Sequence, residues 1–174
     1  MRFARTSEST RAVKPETRSA CRATVAFGVA MVVASCGAGG IRPRFEPFPQ
    51  AMADTIRGSA DSITLRIGEL LAAEGIEVRH LRPAEGYAET KWFDVMTKRT
   101  TSSMSLDTDS VVRLRFWTDL ATVSECLVVG EAVKRRILDP SLPERETEEP
   151  VPPEHPATDV VRRIIAGLKE RNAR

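Results

Sequence analysis

The sequence is short of nearly everything that carries enzyme chemistry. Its 174 residues include three cysteines and two histidines, and His80 and His155 stand far apart with no cysteine or carboxylate at metal-ligand spacing. There is no glycine-rich phosphate loop, no nucleophile elbow and no paired-carboxylate signature. These absences argue against an enzyme, and neither a cofactor nor a metal is expected. Aromatic residues make up 5%, so any core must be mostly aliphatic. Nor is there a strong excess of one charge. The formal net charge is +2, but residues 1–36 hold six Lys/Arg and two Glu, which leaves 20 basic and 22 acidic residues beyond them. The body of the chain therefore lacks an electrostatic footprint for nucleic acid. The apolar run Ala23 to Ala34 is shorter than the roughly 20 residues a membrane span needs.

What is present begins with the leader. Met1 to Arg22 is polar, basic and without helical periodicity. The apolar run that follows has the length of a signal-peptide h-region. It ends at Val33-Ala34-Ser35-Cys36 and then breaks into glycines. Val33-Ala34-Ser35-Cys36 resembles the lipobox of bacterial lipoproteins. That resemblance implies diacylglycerol transfer to the Cys36 sulfur, cleavage before Cys36, and acylation of the new amino group. The acceptor has to be a thiol, because sulfur is the side-chain nucleophile available near neutral pH. Two or three acyl chains, at ~0.8 kcal/mol per buried CH₂, give a lasting membrane anchor. Gly rather than Asp at position 37 implies, by analogy with enterobacterial sorting, the outer membrane facing the periplasm. Three competing readings use the same residues, the last two taken together. One is an uncleaved anchor, since Ala23 to Ile41 is uncharged throughout; the others are cleavage without lipid, or no export at all. Cys21 would leave with the leader, so Cys126 would be the one free thiol of the mature chain and no internal disulfide could form.

The expected organisation is a signal peptide over 1–35, a lipid-anchored flexible tether over 36–50, a helix with a four-stranded sheet over 51–138, a Pro/Glu-rich connector over 139–156, and a C-terminal helix over 157–174. Gly37 to Gln50 carries three glycines and three prolines and cannot hold a regular element. Phe45 and Phe48 could dock on the domain as the chain arrives. Ile56, Ala60, Ile63, Ile67, Leu70 and Leu71 recur at steps of three and four, which predicts a helix over Ala51 to Glu74, capped by Asp54 and stopped by Gly75. Ile76 to Arg82 and Tyr87 to Arg99 flank the turn Pro83-Ala84-Glu85-Gly86 as a hairpin. Val111 to Trp117 and Thr122 to Lys134 supply two more strands. Val160, Val161, Ile164, Ile165 and Leu168 stripe the last helix. The expected fold is thus α+β and two-layered: a four-stranded antiparallel meander with both helices on one face.

Alternation along the strands assigns faces. Ile76, Val78, Ala88, Thr90, Trp92, Val112, Leu114, Phe116, Cys126, Val128, Gly130 and Ala132 read as the core side, with Cys126 a small buried hydrophobe. The other side mixes charge with Tyr87, Phe93 and Trp117. Those three with Arg113 and Arg115 form either a surface covered by loops and the tether, or a partner-binding surface rich in aromatic and arginine residues.

The stretch ELLAAEGIEVRHLRPAEGYAETKWF is similar to the small helix-on-sheet domains of envelope lipoproteins such as the BamC (NlpB) component of the outer-membrane β-barrel assembly machinery. That resemblance carries no functional residue with it. The functional expectation is a non-catalytic, membrane-anchored envelope lipoprotein that acts in protein interaction or envelope assembly. It would be held to the membrane by lipid on Cys36 and would engage an envelope protein partner. The second reading is a periplasmic lipid or small-molecule binding domain of helix-grip type, with its ligand between Trp92, Phe116 and the first helix.

Overall fold

The computed structural model of the chain describes residues 40–101, 109–136, 139 and 141–172. Cys36 and the leader lie outside the described residues. The described elements are β1 (Met52–Arg57), α1 (Ala60–Ala73), β2 (Val78–Arg82), β3 (Tyr87–Thr90), β4 (Phe93–Asp94), β5 (Val111–Leu120), β6 (Glu125–Arg135), β7 (Glu148–Pro150) and α2 (Pro156–Asn172). Short 3-10 turns occupy Pro83–Glu85 and Glu144–Thr147.

The four-stranded sheet is corrected to a seven-stranded one. Every pairing is antiparallel and the order across the sheet is β1-β6-β5-β3-β2. The two short strands extend it along the long central pair: β4 beside β5, and β7 beside β6. Three misread stretches account for the difference.

The first is Ala51 to Glu74, which is not one helix. Met52–Arg57 runs as a strand against β6, with Ile56 opposite Cys126. Ile56 stood at helical spacing from Ala60 and Ile63, so a strand residue and a helix face merged into one apparent stripe. The break is Gly58, whose φ of +132° is a conformation that L side chains rarely adopt. The cap is Ser59 rather than Asp54: its hydroxyl accepts from the Ser62 N–H at 3.3 Å. Gly75, with φ +77°, follows the helix end as expected.

The second is Tyr87 to Arg99, which splits into β3 and β4. Glu89 pairs with Arg115 and Phe93 with Val112, so four steps on one strand match three on the other. One extra residue is a bulge, and it reverses the alternation. Phe93 therefore joins the helix-side core, while Trp92 turns to the opposite face. The third is the connector, where Glu148–Pro150 pairs with the end of β6 instead of running free.

Both helices cover one face of the sheet. α1 packs over β2, β3 and β5, and α2 over β1 and β6. Ile63, Ile67 and Leu71 of α1 and Val160, Val161, Ile164 and Leu168 of α2 close on Ile56, Ala88, Phe93, Val112, Leu114, Phe116, Cys126 and Val128. At Gly130 an added Cβ would sit 2.7 Å from Val161 and 2.9 Å from Phe116, so the missing side chain sets how closely α2 approaches β6. The Cys126 thiol is wholly buried and its sulfur lies 3.2 Å from the Gly58 carbonyl oxygen; burial pushes its pKa up. His155 sits just before α2, where its Nδ1 accepts the Ala157 N–H and its Nε2 donates to the Asp109 carbonyl.

Candidate functional site

The face away from the helices is where the expected surface residues meet. Alternation places Tyr87 and Glu89 of β3, Arg113, Arg115 and Trp117 of β5, and Glu131 and Arg135 of β6 on it together. Register then sets one row across three strands, since Arg115 pairs with Glu89 on one side and with Glu131 on the other. A third carboxylate arrives from β7. Arg115 donates from Nη1 and Nη2 to the two Glu148 oxygens at 2.6 and 2.8 Å, a two-pronged pair. Its Nε reaches Glu89 at 3.3 Å and its Nη1 reaches Glu131 at 3.4 Å. Arg113 pairs with Glu144, and the Tyr87 hydroxyl donates to Glu89 at 2.5 Å.

This cage is sealed. Arg115 and Tyr87 are 0% exposed and Arg113 and Trp117 2%, with Glu89, Glu131 and Glu148 at 3–5%. Burial pushes the Glu148 carboxyl up, and Arg115 draws it back. Burial and the neighbouring Glu89 raise the Tyr87 phenol far beyond its usual range, so it serves as a donor.

The cover is the chain's own. Arg42 donates from its backbone to Glu85 at 2.7 Å and from its guanidinium to Asp119 at 2.7 Å. Phe45 sets its ring edge to Trp117, with centroids 6.4 Å apart, and Arg115 and Arg145 both lie against it. The Phe48 N–H donates to Glu131 at 2.8 Å while Arg145 stacks on its ring. The tether is thus docked from Arg42 to Phe48, with Phe45 and Phe48 seated on the domain as the sequence allows. As folded, Tyr87, Arg113, Arg115 and Trp117 lie beneath it and beneath residues 144–150. Phe93 lies in the other core. Four of the five are closed to a partner, and Arg113, 2% exposed, only borders the groove described next.

The cover stops short at one end. Arg79, Lys91, Trp92, Thr100, Thr101, Arg113, Arg135 and Glu144 line an open groove of about 360 Å³. Arg113 and Arg135 hold their guanidinium carbons 4.4 and 4.9 Å from the Trp92 ring centroid. Three buried donors there have no acceptor: Trp92 Nε1, Arg113 Nε and Arg135 Nε. Lys91 is held by Glu77, and Arg79 and Arg113 by Glu89 and Glu144, whereas Arg135 makes no ion pair among the described residues. Burial first, and then repulsion from Arg113, pull the Arg135 guanidinium below its ordinary range against the attraction of Glu144 and Glu148. The groove thus presents unpaired donors, with the partly exposed Glu144 carboxylate at its wall. Sequence alternation had put Trp92 in the core, so the groove was not legible; its one signal was the pair Lys91-Trp92 preceding a second run of polar residues.

No group of three His, Cys, Asp or Glu side chains among the described residues could hold a metal ion. No described helix is long and apolar enough to cross a membrane. No family model matches the chain, and no match is found among curated proteins.

Proposed function

We propose that this chain is a non-catalytic lipoprotein of the bacterial envelope, held at the outer membrane by lipid on Cys36, and that it binds an acidic segment of a protein partner in the groove beside Trp92. The lipid anchor rests on Val33-Ala34-Ser35-Cys36 and the apolar run before it. The partner rests on one observation: Arg135, stacked on Trp92 and without a direct ion pair, though Glu144 and Glu148 attract it from farther off, stands where the cover of the polar face ends. Arginine on an indole in a partly dry groove is a common hot-spot chemistry, and a carboxylate docking there would regain an ion pair in a low-dielectric setting.

The carrier reading has less support. It needs space between Trp92, Phe116 and α1, yet Trp92 and Phe116 face opposite sides of the sheet. Ile63, Ile67, Leu71 and Phe116 fill the layer between sheet and helices at 0–1% exposure.

Two measurements test the proposal. Mass spectrometry of the mature N-terminus should show an acylated Cys36, absent in Cys36→Ala; an intact Met1 would refute the anchor. A photo-crosslinker at Lys91 or Thr101 in native membranes should give a discrete protein adduct that Arg135→Glu abolishes without lowering the melting temperature. An adduct indifferent to Arg135→Glu would refute the groove.

A further inference from the structure

The β5–β6 turn carries the most exposed apolar side chains of the described chain near the point where the tether docks. Leu120 is 69% exposed and Val123 101%, and only Asp119 separates Leu120 from the buried stretch of β5. Asp119 is the residue that pairs with the Arg42 guanidinium, and Arg42 is also held by Glu85 in the neighbouring turn. The docked part of the tether therefore starts at this end of the sheet. Five residues separate Cys36 from Arg42, and six steps of at most ~3.6 Å each keep an anchored Cys36 within roughly 22 Å of the docked Arg42. An apolar turn beside so short a leash has a defined neighbour. Exposed Arg57, 3.9 Å from Glu125, and exposed Arg82 end β1 and β2, the two edge strands, at this same end of the sheet, where anionic headgroups would meet them.

From this we infer that the β5–β6 turn is a second membrane contact, with Leu120 and Val123 entering the headgroup–acyl boundary of the bilayer that holds the lipidated cysteine. The occupant is a lipid surface because of the leash: an anchored domain must present some face to the bilayer, and this is the face the tether reaches first. Two aliphatic side chains enter the outer few ångströms of a bilayer at little cost, and entry removes them from water. The inference rests on the lipoprotein reading, and the experiment separates the two.

Full chains carrying Val123→Trp or Met96→Trp are expressed in a bacterial host, recovered from membranes and reconstituted in vesicles containing lipids brominated on the acyl chain. Met96 is 74% exposed, in the turn at the opposite end of the sheet, and serves as the reference. Since Trp92 and Trp117 are buried and common to both variants, the difference reports the new indole. Quenching of the Val123→Trp signal at least about twofold greater than that of Met96→Trp is expected for a side chain in the interface. Equal quenching, with an acylated Cys36 verified by mass, overturns the membrane contact and leaves the lipoprotein reading standing. An unmodified Cys36 overturns both.

Discussion

Arg115 is the bulkiest side chain that the domain encloses completely, and it is charged. A cation in that position persists only because three glutamates surround it, with Glu148 gripping both terminal nitrogens. Arg115→Met keeps much of the volume but leaves Glu89, Glu131 and Glu148 facing one another. We expect a loss of about 3–5 kcal/mol, read from urea unfolding. Arg145→Met, which frees Glu131 of a partner nearer the surface, should cost clearly less. A second pair links the helices: Arg163 of α2 donates to Glu74 at the end of α1 from two nitrogens, each at 3.1 Å. Arg163 and, against burial, Lys98 lower the Glu74 carboxyl from 4.5 to about 2. A folded-state pKa below the unfolded one adds stability that is complete above the unfolded value and is lost as pH falls towards 2. Arg163→Ala should therefore be less stable than the parent near neutral pH by at most about 1 kcal/mol, given how exposed the arginine is. In denaturant titrations from pH 6 downward the two curves should converge between about 4.5 and 2.

At the scale of elements, the contact between β6 and α2 depends on an absent side chain. Gly130→Ala would push against Val161 and Phe116 and should cost about 1–3 kcal/mol through overpacking. Adding Val161→Ala should recover part of that loss, and a double-mutant cycle by thermal unfolding measures how much. The same elements show what was legible in sequence. α2 and the strands β2, β5 and β6 stood out because their apolar residues repeat with a single period and are bounded by Gly, Pro or Asp. β1 did not, because six residues with one buried position, Ile56, cannot be told from the first turn of the helix that follows. β7 did not, because three residues of a Pro/Glu stretch pair with β6 for reasons that lie in Arg115, far off in sequence. The faces were right along β5 and β6 and wrong at Trp92 and Phe93, where one bulged residue, invisible to alternation, exchanges the two rings.

At the scale of the whole molecule, the tether is part of the domain. Phe45 and Phe48 roof the charge cage, so Phe45→Ala should open Trp117 and Arg115 to water. We expect a loss of about 1–2 kcal/mol and a red shift of the tryptophan emission. If the groove and the β5–β6 turn act as proposed, they lie at opposite ends of the sheet's long strands, so a partner would approach from the side away from the bilayer.

Glu144 and Glu148, which neutralise Arg113 and Arg115, lie some thirty residues after the strand they serve, and α2, which covers half of the core, comes later still. A growing polypeptide that stops short of them has Glu89 and Glu131 in place but lacks the two-pronged partner of Arg115 and the nearest partner of Arg113. Closure must then wait for residues 144–172. Until that segment joins the sheet the charge cage stays open, which is the state the proposed export would need.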